Sequence, residues 1–196
     1  NVLLNTWNKR IGENHGLLTG GGKTAGHGLL PGAHAVPLLW HSFPGGGAGR
    51  YNLYGAEIEN YFEDLEKDME CACYASYFVE FADYYEREGI EATEMLKLLY
   101  QSFRALLRPA IPNRLVQRIF ELKAMSLNGE YTERPGRAAS ESLVAWEYVI
   151  FSPVEKLYTF LLTDEVFEEF RRCVEDNKKR YIDRKFHSLE ILDAIV

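Results

Sequence analysis

The chain reads as an α+β protein in which a small N-terminal β unit, residues 1–55, precedes a larger all-α helical bundle, residues 56–196. Three observations predict this. Residues 1–50 hold 12 of the 16 glycines together with Pro31, Pro37 and Pro44, a composition no helix tolerates. From Asp64 onward the apolar residues recur at three- and four-residue intervals, the period of a helix with one buried face. The charge changes at the same place: Lys9, Arg10, Lys23 and Arg50 against the single acid Glu13 give the first 50 residues +3, which leaves −10 of the total −7 for the rest.

In the N-terminal unit, short apolar pieces such as Val2-Leu3-Leu4, Gly16-Leu17-Leu18-Thr19 and Pro37-Leu38-Leu39-Trp40 are punctuated by glycine, which predicts short strands joined by turns. The scarcity of charge argues against a solvated, disordered tail. The helical unit opens with a helix predicted from Asp64 to Glu88 and stopped by Gly89, with Tyr74, Phe78, Phe81 and Tyr85 on one stripe and Ala75, Val79 and Ala82 beside it. A second helix is expected over Thr93 to Leu107, its stripe formed by Met95, Leu99, Phe103 and Leu106. Pro112 then opens a third at a first-turn position, with Leu115, Ile119, Leu122 and Met125 buried and Asn128-Gly129 as a left-handed C-cap. After a loop, Tyr131 to Ala139, a short helix covers Glu141 to Ile150. Ser152-Pro153-Val154-Glu155 has the order of a capping box, so a helix is expected to start at Ser152. Thr163-Asp164-Glu165 caps the last long helix, whose far end carries Lys178, Lys179 and Arg180.

Several chemistries are excluded. No apolar run approaches the ~18 residues of a membrane span. The three cysteines, Cys71, Cys73 and Cys173, without a secretory leader pattern, point to reduced thiols in the cytoplasm. Cys71 and Cys73 lie about 200° apart on a helix and are poorly placed to share a metal; they read as small buried hydrophobes. Gly20-Gly21-Gly22-Lys23-Thr24 suggests a phosphate-binding loop, but that motif needs glycine where Leu17 stands. His15, His27, His34 and His41 have no metal-ligand spacing and no acid or cysteine partner. The carboxylates Glu57, Glu59, Glu63, Asp64, Glu66, Asp68 and Glu70 form a dense run, as a solvated helix face does, and none pairs into an acid–base couple. No cofactor and no catalytic nucleophile are expected, so the chain reads as a binding protein and not an enzyme.

One cluster stands against the acidity of the larger unit: Arg171, Arg172, Lys178, Lys179, Arg180, Arg184 and Lys185. Compensation of the helix dipole at its C-terminal end accounts for some of these cations. Their density leaves room for phosphate contact as well.

The segments Tyr51 to Phe62 (YNLYGAEIENYF), Ala72 to Phe78 (ACYASYF), Glu94 to Tyr100 (EMLKLLY), Leu127 to Tyr131 (LNGEY) and Ser152 to Phe160 (SPVEKLYTF) resemble, in order and spacing, the RecO family of bacterial recombination mediators, in a clostridia-like, Gram-positive form. The resemblance covers residues 51–196. It implies an N-terminal OB-fold barrel that binds single-stranded DNA, followed by a helical C-terminal domain. It also implies DNA repair through strand annealing and through loading of RecA together with RecR. The partners implied are single-stranded DNA, RecR, the acidic tail of the single-stranded-DNA-binding protein and, indirectly, RecA, in a cytoplasmic, nucleoid-associated setting without a membrane. The DNA-contacting residues would be Lys9, Arg10, Lys23 and Arg50 in the first unit and Lys178, Lys179, Arg180, Arg184 and Lys185 in the second. Two departures stand out. Residues 1–50 match only through Lys9-Arg10, Leu17-Leu18-Thr19, Gly22-Lys23 and Pro31-Gly32-Ala33, and are short for a complete barrel. Many members carry a four-cysteine zinc site in the loop after the third helix, which here is Thr132 to Ala139 without a cysteine, so no zinc is expected.

Overall fold

The computed structural model describes residues 2–3, 7–8, 13–18, 38–41 and 57–60 as strands and, beyond them, residues 62–85, 92–135 and 139–195. The strands are β1 (Val2–Leu3), β2 (Trp7–Asn8), β3 (Glu13–Leu18), β4 (Leu38–His41) and β5 (Glu57–Asn60). All pairings are antiparallel, in the order β1-β3-β4-β5 with β2 also beside β3. The three apolar pieces expected to be strands fall on β1, β3 and β4. The sheet also reaches into the acidic run, because Glu57 and Glu59 lie on β5 and not on a helix face. Its pairing to β4 shifts register between Leu38 and Leu39.

The long helix expected from Asp64 is broken in two, α1 (Glu63–Lys67) and α2 (Met69–Tyr85). The break is at Asp68, whose backbone is extended (φ −115°, ψ 111°) and whose carboxylate accepts the amides of Glu70 and Cys71 at 2.9 and 3.2 Å. An aspartate that satisfies the free amides of the next turn starts a helix more readily than it continues one. The expected end at Glu88 and Gly89 lies outside the described residues. Phe62, ahead of α1, is a non-glycine residue at positive φ (49°). Its ring is held edge-on by Tyr100 and Phe103, with centroids at 5.6 and 5.5 Å, and this buried packing offsets the backbone cost.

Helix α3 (Thr93–Leu106) matches expectation closely. Helix α4 (Asn113–Leu127) begins one residue later than expected: Pro112 is extended (ψ 133°) and is the residue before the first turn, its carbonyl accepting from Leu115 and Val116. At the other end Gly129 adopts φ 74°, the Gly129 amide reaches the Ser126 carbonyl and the Glu130 amide that of Met125. That is the Schellman arrangement, and its positive φ favours glycine at 129.

Helix α5 (Ser140–Phe151) is followed by a single 3-10 turn, Val154–Lys156. The expected capping box at Ser152 is therefore a correction. Ser152 closes α5, no side chain caps the turn, and Pro153 holds the extended conformation that ends one helix without starting another of any length. Thr163 does cap α6 (Asp164–Tyr181), its hydroxyl accepting from the Val166 amide. The chain closes with α7 (His187–Ile195).

The core is aromatic. Phe78 of α2 stacks on Phe120 of α4 at 4.2 Å, Phe81 stacks on Phe186 at 5.0 Å, and Trp146 of α5 meets Phe170 of α6 edge-on. Helix α4 lies at the centre, packing against α2, α3, α5 and α6. A helix surrounded in this way must bury its polar side chains. Lys123 is one of them: its ammonium donates to the carbonyls of Ile150 and Ser152 at 2.8 and 2.7 Å, closing the C-terminal end of α5.

Candidate nucleic-acid interface

Two sets of polar residues leave the apolar pattern, one internal and one on the surface, and the cationic end of α6 takes part in both. The internal set centres on Glu121 of α4, which is fully buried. One carboxylate oxygen accepts the Tyr77 hydroxyl at 2.5 Å and the Lys178 ammonium at 2.7 Å; the other accepts Arg118 at 2.9 Å. Arg118 reaches Glu175 of α6 at 3.0 Å, and Glu175 also pairs with Arg171. Burial alone would raise the Glu121 pKa, but the charges of Arg118 and Lys178 and the hydrogen bonds of Lys178 and Tyr77 outweigh it and hold the carboxyl down at about 2. Lys178 also lies over the Tyr77 ring at 5.7 Å.

This placement separates the cations expected to meet DNA. Lys178 points inward, with a side chain 16% exposed and its ammonium paired with Glu121. Arg171 is tied to Glu168 and Glu175, and Arg172 donates to the Glu168 carbonyl. Lys179, Arg180, Arg184 and Lys185 are exposed, running from the last turn of α6 into the segment before α7. Lys179 has a long contact to Asp176 (4.0 Å), and Arg184 spans Glu80 and Asp83 at 3.9 and 3.8 Å. Arg180 donates to the Thr132 hydroxyl, and Lys185 has no ion-pair partner among the described residues. Lys9, Arg10, Lys23 and Arg50 lie outside the described residues.

The loop after α4 is held by side chains. Buried Asn177 donates to the Glu130 carbonyl at 3.0 Å and accepts from the amide and hydroxyl of Thr132, while the Trp146 indole donates to the Thr132 carbonyl. Tyr85 completes the clamp on Glu130 at 2.7 Å. Among the described residues no three His, Cys, Asp or Glu side chains are grouped to hold a metal. Burial, with help from Asp68, raises the Cys71 thiol to about 11.

A second anchor was not visible in the sequence. Glu80 of α2 accepts the amides of His187 and Ser188 and the Ser188 hydroxyl, and so caps α7 from across the structure. Burial works against its ionisation, but the Ser188 and backbone hydrogen bonds and Arg184 prevail and lower its pKa. The missed charges of α4, Glu121 and Lys123, share one signal. Helix α4 carries apolar residues at 115, 116, 119, 120, 122, 124 and 125, too many for one stripe, so the charges between them had to be buried and paired.

No helix among the described residues is long and apolar enough to cross a membrane. Among curated proteins, none matches the chain. Residues 66–134, from α1 through α4 and the clamped loop, match the family model described as Recombination protein O C terminal. Over these residues the helical domain is similar to the C-terminal domain of the recombination protein O family.

Proposed function

We propose that the chain is a recombination mediator that binds single-stranded DNA, promotes annealing of complementary strands and, with RecR, helps to load RecA onto DNA covered by the single-stranded-DNA-binding protein. The match of residues 66–134 to the family model carries this reading. The four exposed cations at the end of α6 support it, as do the cations of the N-terminal unit, which would form a small OB-like barrel around the antiparallel sheet. The proposed contacts are Lys9, Arg10, Lys23 and Arg50 together with Lys179, Arg180, Arg184 and Lys185. The protein works by binding, without catalysis of its own, in the cytoplasm at the nucleoid. The tail of the single-stranded-DNA-binding protein is a further proposed partner.

The test is a salt titration of single-stranded DNA binding. If about four cations contact phosphates, log affinity falls against log salt with a slope near −3, at about 0.7 per phosphate neutralised on a single strand. Replacing Lys179 and Lys185 by alanine flattens the slope by about 1.4 with little dependence on base sequence. An unchanged slope assigns the cluster to dipole compensation. Absence of salt-dependent binding in the parent protein favours the second reading, an interaction scaffold without DNA affinity, which the −10 charge of residues 51–196 supports.

A further inference from the structure

The exposed residues of α5 after its first position are Glu141, Val144, Glu147 and Phe151, at spacings of three, three and four, so acid and apolar side chains alternate along one stripe. Phe151 is 73% exposed and Val144 66% exposed. Past the helix, Tyr148 of α5 bonds to Lys156 and Thr159 and its ring meets Phe160 edge-on at 5.3 Å; Leu161, the next residue in the chain, is 61% exposed. Neither Glu141 nor Glu147 has an ion-pair partner among the described residues, whereas most exposed carboxylates of α6 do. Isolated exposed hydrophobes need no explanation. Two of them on one helix face, interleaved with unneutralised carboxylates and followed by an exposed leucine, define a chemistry.

We propose that this stripe is a docking surface for a basic, amphipathic protein segment that sets apolar side chains against Val144, Phe151 and Leu161 and lysines or arginines against Glu141 and Glu147. The sign of the charge selects the occupant. Nucleic acid is repelled by the two carboxylates, and an acidic tail would meet charges of its own sign. A basic helix with anchors three and four residues apart matches both features of the stripe.

The test uses the full chain and a fluorescently labelled Leu/Lys amphipathic peptide of about 15 residues, with a Leu/Glu peptide of the same pattern as control. Anisotropy titration is expected to show binding of the Leu/Lys peptide alone. Val144→Ala with Phe151→Ala should weaken it about tenfold, as loss of aromatic anchors does. Glu141→Gln with Glu147→Gln should weaken it severalfold at low salt and much less at high salt. Glu133→Gln, an exposed acid in the loop after α4, controls for the overall negative charge and should leave affinity unchanged. Because the stripe is exposed, circular dichroism should show every variant folded. Equal loss in the Glu133 variant, equal binding of the two peptides, or unaltered binding in the apolar double variant would overturn the proposal. Sedimentation showing that the parent protein self-associates through Phe151 would overturn it too, by giving the stripe to a second copy.

Discussion

The Lys178 ammonium sits 2.7 Å from a carboxylate oxygen of Glu121, 57 residues away in the chain. The adjacent Lys179 side chain is 76% exposed. Two lysines side by side in sequence thus do opposite work, one neutralising a buried charge and the other facing solvent. Lys178→Met should cost about 3 kcal/mol, the lower end of what breaking a buried pair costs, because Arg118 still faces Glu121. Lys179→Ala should stay within about 0.5 kcal/mol of the parent. Urea denaturation midpoints of the two variants decide; equal midpoints would mean that Lys178 is not buried in solution.

Acid should find the same network. The Glu121 carboxyl is held at about 2, below the unfolded value of about 4.3, so its contribution is fully present above the unfolded pKa and is lost as pH falls through about 4 toward 2. A shift of this size corresponds to about 3 kcal/mol. Glu121→Gln removes the titration: the variant is less stable at neutral pH, and its stability should fall less steeply between about pH 4 and pH 2. The slope of stability against pH, measured by chemical denaturation at each pH, is the readout, and parallel slopes would count against the assignment.

Helix starts give a paired comparison. Thr163→Ala removes a hydroxyl that accepts the Val166 amide and should cost about 0.5–1 kcal/mol, the lower half of the usual range because the bond is long at 3.4 Å. Ser152→Ala removes no cap and should stay within about 0.5 kcal/mol of the parent. Glu80→Gln weakens the acceptor for three donors at the start of α7. Hydrogen exchange should therefore quicken at the amides of His187 and Ser188 before it does in α4. Uniform protection across α7 and α4 in that variant would contradict the capping role.

The loop after α4 is expected to need no metal. Elemental analysis should find no zinc, and chelator should leave the thermal midpoint unchanged. Asn177→Ala, by contrast, strips the part-buried Thr132 amide and the Glu130 carbonyl of their partners and should cost about 2 kcal/mol. Proteolysis at Arg134 should accelerate in that variant. A chelator-sensitive midpoint would return the loop to the metal-binding kind.

The helical half was legible because its apolar stripes, its Gly129 terminus and its Thr163 start are local signals that tertiary packing reinforced. Asp68 shows where local reading failed: its carboxylate competed for the amides of the next turn, and a periodic stripe continues undisturbed across such a break. Ser152 failed for the opposite reason. The capping-box letters were present, but Pro153 and the carbonyls claimed by Lys123 left room for a single turn. The surface cluster was found, yet its division into the inward Lys178 and the outward Lys179, Arg180, Arg184 and Lys185 depends on Glu121, which lies on another helix. Glu80 and Asn177 act across more than forty residues of chain, and no spacing rule reaches them.

The seat of Lys123 makes that residue a natural reporter. The residue is 6% exposed, its ammonium donates to two carbonyls, and burial lowers its pKa. An amine-reactive reagent should acylate Lys179 and Lys185 in the native protein within the first minutes while leaving Lys123 unmodified. Labelling of Lys123 would then register only molecules in which α4 and α5 have come apart, so mass spectrometry of a single peptide would count opening events without any engineered probe.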